Sequence, residues 1–166
     1  MQNIYHRTSV RKYTEDRVER SKIMQILRAA MAAPSAGNQQ PWEFYVTRDP
    51  EKRQALADSS PYSKPAGRCD VCILVCKKAD ALKHPGMSDQ DLGACCENIL
   101  LEAEHLGLGT VWLGTKPEQS RMDACARIFS CAPEHEPYAL ICVGYSADPR
   151  EATAAKRYEE SRVHWV

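Results

Sequence analysis

Apolar positions along the chain fall into a few well-separated periodic blocks. Over 19–33, Ile23, Ile26, Leu27, Ala30 and Met31 recur at the spacing of one helical face, and Pro34 stops the pattern. Trp42–Thr47 has the aromatic and β-branched content of a strand, and Asp49-Pro50 punctuates it before a short helical stretch to about Asp58. Residues 59–70, rich in Ser and Pro, carry no period and read as loop, and the continuous apolar run 71–76 reads as a buried strand. Ser88 with Asp91 three residues on predicts a capping box. The helix behind it carries Leu92, Cys95, Cys96, Ile99, Leu100, Ala103 and Leu106 on one face and ends at Gly107. Thr115 and Glu118 are candidate caps for a further helix through Met122, Cys125, Ala126 and Phe129, and 138–145 is the last strand pattern. Beyond Pro149 the chain becomes a charged tail closing on Val163-His164-Trp165.

These blocks make one domain over 1–166, a length that buries a real core. Hydrophobic residues make up 43% and the formal net charge is zero, so no global field calls for nucleic acid as a partner. No apolar run approaches the roughly 18 to 20 residues of a membrane span, nor does the N-terminus carry an apolar signal core, so no membrane partner is expected and the localisation reads as cytoplasmic. The eight cysteines mostly fall within apolar strands or on apolar helix faces. Only Cys69-x-x-Cys72 has a metal or redox spacing, and neither a second Cys pair nor His partners at zinc-site intervals accompany it. They read as structural, reduced thiols, with no metal site.

Two segments carry chemistry. Arg7, Ser9 and Arg11 alternate, so an extended backbone projects two guanidinium forks and a hydroxyl to one side, a set suited to phosphate or another oxygen-rich anion. The loop Pro34-Ser35-Ala36-Gly37-Asn38-Gln39-Gln40-Pro41-Trp42 brackets polar side chains between two prolines. Gly107-x-Gly109 is a helix stop and turn; no dinucleotide or Walker sequence is present. The histidines form no nucleophile–base constellation, which disfavours hydrolysis. Trp42 reads as a core or interface aromatic, and Asp89 and Asp91 as first-turn acids favoured by the helix dipole.

Together, Arg-x-Ser-x-Arg at 7–11 and Pro-Ser-x-x-Asn-x-Gln-Pro-Trp at 34–42 resemble the nitroreductase family of FMN-dependent oxidoreductases. Asp89-Gln90-Asp91, the run 107–114 and the closing 157–165 are similar to family landmarks in the family order, so the resemblance spans nearly the whole chain. It implies an α+β, nitroreductase-like fold with a central mixed or antiparallel sheet flanked by helices and a domain-swapped C-terminal tail. It also implies a homodimer with shared FMN sites. In that arrangement Arg7, Thr8 and Ser9 meet the phosphate and ribityl oxygens, Arg11 the pyrimidine oxygens, and Leu113-Gly114 offer a backbone N–H near flavin N5. Pro34, Ser35, Ala36, Asn38 and Gln40 come from the other subunit, and Lys156 and Arg157 reach the phosphate from the tail. Ala154 and Ala155 stand where family members often carry a further basic residue, which shifts weight onto Arg7. The implied reaction is ping-pong hydride transfer from NAD(P)H through FMN to a nitroaromatic, quinone or activated alkene, with no obligatory catalytic side chain. An FMN carrier or redox sensor without turnover, and a Cys-rich metal protein, are the competing readings.

Overall fold

The computed structural model describes residues 3–78, 80, 82–148 and 157–166. In chain order the elements are α1 (Asn3–His6), α2 (Arg20–Met31), β1 (Trp42–Thr47), α3 (Pro50–Asp58), β2 (Val71–Lys78), α4 (Ser88–His105), β3 (Gly109–Gly114), α5 (Gln119–Phe129) and β4 (His135–Gly144). Short 3-10 turns fall at Ala36–Asn38, Lys64–Gly67, Pro85–Met87 and Glu160–Arg162.

The four strands form one antiparallel sheet in the order β1-β2-β4-β3. Strand side chains alternate between faces. Val71, Ile73 and Val75 of β2, with Ala139, Ile141 and Val143 of β4, therefore meet Ile23 and Ile26 of α2 and Leu92, Cys95 and Ile99 of α4. The intervening residues Cys72, Leu74, Cys76, Leu140 and Cys142 pack on the other face with Leu56 of α3 and Cys125 and Phe129 of α5. A helix layer on each face explains why β2 reads as an unbroken apolar run rather than an alternating one.

The boundaries agree closely with the pattern for α2, β1, α3 and α4. Asp49 caps α3 by accepting from the N–H groups of Glu51 and Lys52. Three expectations need correction. The capping box at Ser88 does not form: Ser88 is the first helical residue, its buried Oγ has no hydrogen-bond partner, and Asp91 turns to the loop at 34–41 instead. Neither Thr115 nor Glu118 caps α5 through its side chain; Thr115 Oγ1 donates to Leu113 O. The helix stop expected at Gly107-x-Gly109 holds at Gly107, with φ 77°, but Gly109 is not part of a turn: it opens edge strand β3, 109–114, paired along β4.

The N-terminal segment is laid against this sheet edge. Ser9 forms a parallel bridge with Thr110, and Val10 N–H donates to Thr110 O at 2.8 Å, the one parallel pairing beside the antiparallel sheet among the described residues. Gly109 and Gly144, opposite each other on β3 and β4, make room for it. A Cβ at Gly109 would stand 2.8 Å from both Val10 methyls, and one at Gly144 2.7 Å from the Tyr13 ring. Two missing side chains thus seat Val10 and Tyr13 and fix where Ser9 and Arg11 emerge. The tail 157–166 is exposed throughout, including Tyr158 and Trp165, the latter at 93%. No helix among the described residues is long and apolar enough to cross a membrane.

Candidate functional site

The extended segment presents its donors largely free of protein partners. Arg7 Nε lies 3.7 Å from Glu97 Oε1 of α4, a long ion pair that leaves the two terminal guanidinium nitrogens without an acceptor among the described residues. Arg11 Nη1 donates weakly to Ser9 O at 3.4 Å. Among the described residues the Thr8 and Ser9 hydroxyls make no hydrogen bond, and with Arg11, Lys12 and Ser146 they border a hollow of about 220 Å³.

The loop at 34–41 is tightly built. Gly37, Asn38 and Gln40 all take left-handed backbone angles, near φ 56°, 55° and 48°, uncommon for the two that are not glycine. The fold holds them there from within and from α4. Asn38 N–H donates to Ser35 O, Gln39 N–H to Ala36 O, and Gln40 N–H to Ser35 Oγ. Buried Asp91 accepts from Ala36 N–H at 3.0 Å through one oxygen and from Gln39 Nε2 at 2.7 Å through the other. Gln39 also donates to His84 O and accepts from His84 N–H. Left pointing outward are the Ser35 hydroxyl proton, the Asn38 amide N–H₂ and the Gln40 carbonyl, since Asn38 Oδ1 accepts from Gln40 Nε2. Ala36 N–H is occupied by Asp91, so Ala36 contributes shape rather than a donor, and Pro34 is exposed beside it.

At the far end of β3, Leu113 is buried in the core, so only its backbone faces outward, while Gly114 is exposed with open space where a Cβ would be. Arg121 donates to Gly114 O at 3.1 Å. Just beyond, Lys116 contacts Glu136 at 2.7 Å and Asp89 at 3.0 Å. Partial burial opposes its charge, but these two carboxylates win and hold the amine above its ordinary value. Trp112, Lys116 and Tyr138 border a cleft of about 300 Å³ here. Arg157 is exposed in the tail, and Lys156 lies outside the described residues.

Helix α4 relates these parts. At about 100° per residue, Glu97, which meets Arg7, is about 80° round the helix from Asp89, which meets Lys116 beyond β3. Asp91, which holds the loop, is about 200° from Asp89 and about 120° from Glu97. Arg7 and the end of β3 therefore share one side of α4, and the loop takes the other. No hydrogen bond or ion pair joins the two groups among the described residues. A cavity of about 770 Å³ between the start of α2 and β1 is bordered by Val18, Ile23, Leu27 and Val46 and by none of the predicted residues. The sequence does not mark Asp91, Gln39 and His84 as site residues. Nothing in their spacing distinguishes a loop anchor from a first-turn acid, and only the need of the loop N–H groups for an acceptor points to one.

The nitroreductase family model matches residues 4–61 and 60–145. A candidate NADH dehydrogenase/NAD(P)H nitroreductase of Archaeoglobus fulgidus is 36% identical over 163 residues, covering 97% of this chain and 94% of that protein. One of the same description from Methanothermobacter thermautotrophicus is 39% identical, covering 99% of this chain and 85% of its own length. Among solved structures, a candidate NADH oxidase of Clostridium acetobutylicum superposes with a TM-score of 0.92 at 39% identity, covering 98% of this chain and 97% of that one. A candidate nitroreductase of Desulfovibrio desulfuricans, solved in complex with FMN, gives a TM-score of 0.78 at 32% identity, covering 96% and 95%. With the motifs at 7–11 and 34–42 in place on this fold, the chain belongs to the nitroreductase family.

Proposed function

We propose that residues 1–166 form one FMN-binding domain of a homodimeric oxidoreductase that passes a hydride from NAD(P)H to a nitroaromatic, quinone or activated alkene in two ping-pong half-reactions. The observation that carries this reading is the split donor set on opposite sides of α4, each half built but neither sufficient. The hollow beside Ser9 and Arg11, at about 220 Å³, falls below the roughly 300 Å³ at which small-molecule sites begin. A second copy supplying its loop at 34–41 would complete it.

When bound, FMN would accept and donate two electrons with a proton at N5. The chain's own residues do the rest. Arg7 offers a charge-assisted clamp for a phosphate, with Thr8 and Ser9 adding hydroxyl donors. Arg11 would supply positive charge to the pyrimidine oxygens, which would favour a reduced, anionic ring. Ser35 O–H and Asn38 Nδ2 provide donors, Gln40 Oε1 an acceptor, and all three are set by the Asp91 anchor. Gly114 leaves the space above its backbone clear for a ring edge. Arg157 and Lys156 would come from the tail, whose exposed Tyr158, Val163 and Trp165 fit a segment that crosses onto a partner subunit. Eight cysteines, free of disulfides, fit a reducing cytoplasm.

The test is the visible spectrum of the purified protein before and after NADH or NADPH is added without oxygen. Stoichiometric yellow flavin bleached by nicotinamide and restored by a quinone or nitroaromatic is expected. Bound flavin indifferent to both nucleotides would replace this reading with a carrier, and protein unable to take up FMN would overturn it.

A further inference from the structure

Cys69-x-x-Cys72 lacks a partner in sequence, but the fold supplies one seventy residues later. Cys72 of β2 and Cys142 of β4 are directly opposed in the antiparallel register, and Cys69, two residues before β2, closes a triangle with them. All three are fully buried, and their sulfurs lie within 4.8 Å of one another, with Cys69 and Cys72 at 3.5 Å. We propose that Cys69, Cys72 and Cys142 form a three-sulfur binding site for a soft monovalent metal ion of the copper(I) class.

Geometry supports this first. Metal–sulfur bonds of about 2.3 Å in a trigonal plane put the sulfurs about 4.0 Å apart, so closing around an ion needs shifts of under about 1 Å. The ligand set then selects the ion. No His, Asp or Glu joins the cluster among the described residues, whereas structural zinc takes four ligands in a tetrahedron. Three thiolates with no harder ligand favour copper(I). One positive charge lies close by. Arg53 donates to the Cys69 carbonyl, bringing a guanidinium to the edge of the cluster. Cys69 Sγ also lies 3.2 Å from Val71 O and 3.4 Å from Ala66 O, where it donates its thiol proton until an ion displaces it.

Cys69 is itself fully buried, but it borders a cleft of about 410 Å³ between Thr14, Arg53 and Arg68. On binding, copper enters and remains as Cu(I), sulfur–metal bonds form, and the displaced thiol protons leave to solvent. No electron is transferred. The ion would sit in the core beneath α3 and α5, away from the α4 face, and the inference does not rest on the flavin reading.

The experiment is an anaerobic titration of the purified, thiol-reduced full chain with Cu(I) against bathocuproine disulfonate, a coloured Cu(I) chelator. One Cu(I) per chain is expected. Cys142→Ser should weaken binding by more than about a hundredfold, since even outer-shell changes at metal sites cost up to that much. Cys95→Ser, in the opposite core, should bind as wild type. Because Cys142→Ser empties a buried position, X-ray absorption of the copper-loaded wild type reads the ligands directly, with three sulfurs at about 2.3 Å and no nitrogen or oxygen expected. No copper held against the chelator, undiminished binding by folded Cys142→Ser, or a nitrogen or oxygen ligand in the absorption data would overturn the proposal. So would one equivalent of Zn(II) that excludes copper.

Discussion

Arg7 is half-withdrawn beside α4 and its one ion pair among the described residues is long, so its value to folding is small while its value to an anion is not. An exposed or half-exposed pair at 3.7 Å contributes under about 1 kcal/mol to stability. A charge-assisted phosphate contact contributes about 1.5 to 3 kcal/mol. Arg7→Ala is therefore expected to raise the FMN dissociation constant roughly 10- to 100-fold with a melting temperature close to wild type. Fluorescence titration with FMN and thermal unfolding of the apoprotein check the two halves, and an unchanged dissociation constant would remove Arg7 from the site. Asp91 makes the opposite case, a residue valuable to shape. Both its oxygens accept, so Asp91→Asn must aim its N–H₂ at either the Ala36 N–H or the Gln39 amide. Gln39 cannot simply flip without losing both bonds to His84. One buried donor is left unpaired, and the expected cost is about 1 to 3 kcal/mol. Urea unfolding should show that loss together with weaker FMN binding; wild-type values for both would mean that the loop does not depend on its anchor.

At the scale of elements, the N-terminal strand-like segment is held by two bridges, Ser9 to Thr110 and Tyr13 to Ser146, and by the room left at two glycines. Its seat on β3 also requires the absence of a Cβ at Gly109. Gly109→Ala would drive a methyl group into Val10, and overpacking of this kind costs about 1 to 3 kcal/mol. For a chain of this size each 1 kcal/mol lowers the melting temperature by about 2 to 4 °C. Val10→Ala in the same chain removes the opposing methyls, so the double variant should recover part of the loss and regain flavin that the single variant releases. A double variant no better than the sum of its parts would show that Val10 is not what Gly109 accommodates. The same contact ties the fold to the chemistry, because Ser9 and Arg11 flank Val10 and point where it allows them to.

At the scale of the whole molecule, each chain is read as carrying half of two sites, and complementation tests this. A chain with Arg7→Ala and Arg11→Ala and a chain with Ser35→Ala and Asn38→Ala should each be inactive as homodimers. Mixed through a refolding step, they should form heterodimers with one sound site, recovering up to about a quarter of wild-type activity if the two chains assort at random. No recovery in mixed, folded dimers, or an active flavin-loaded monomer on sedimentation, rejects the shared site. Obligate interfaces bury roughly 2,000 Å² or more, and the exposed tail with Tyr158, Val163 and Trp165 is apolar surface of the kind such an interface would take up.

Local physics was enough for much of this protein. Periodicity at 3.6 and 2 residues, with Pro34, Asp49-Pro50 and Gly107 as stops, placed α2, β1, α3, α4 and most of β2 and β4, because each of those signals acts within a turn or two of the chain. The motifs at 7–11 and 34–42 were legible for the same reason: each is a contiguous run whose residue types and spacing stand next to one another in the chain. Contacts that join distant segments were not legible. Asp91 reads as a helix-dipole acid until the loop is folded against it, fifty-five residues from Ala36. Edge strand β3 gains its identity from pairing with β4, and the opening for Val10 exists only once Gly109 and Gly144 face each other. Cys69-x-x-Cys72 reads as an unpartnered pair because its third sulfur, on Cys142, arrives through the register of β2 with β4. Spacing along a chain reports what lies within a helical turn or a strand pleat; which sulfur, carboxylate or methyl-sized gap meets which is decided by sheet register and helix packing.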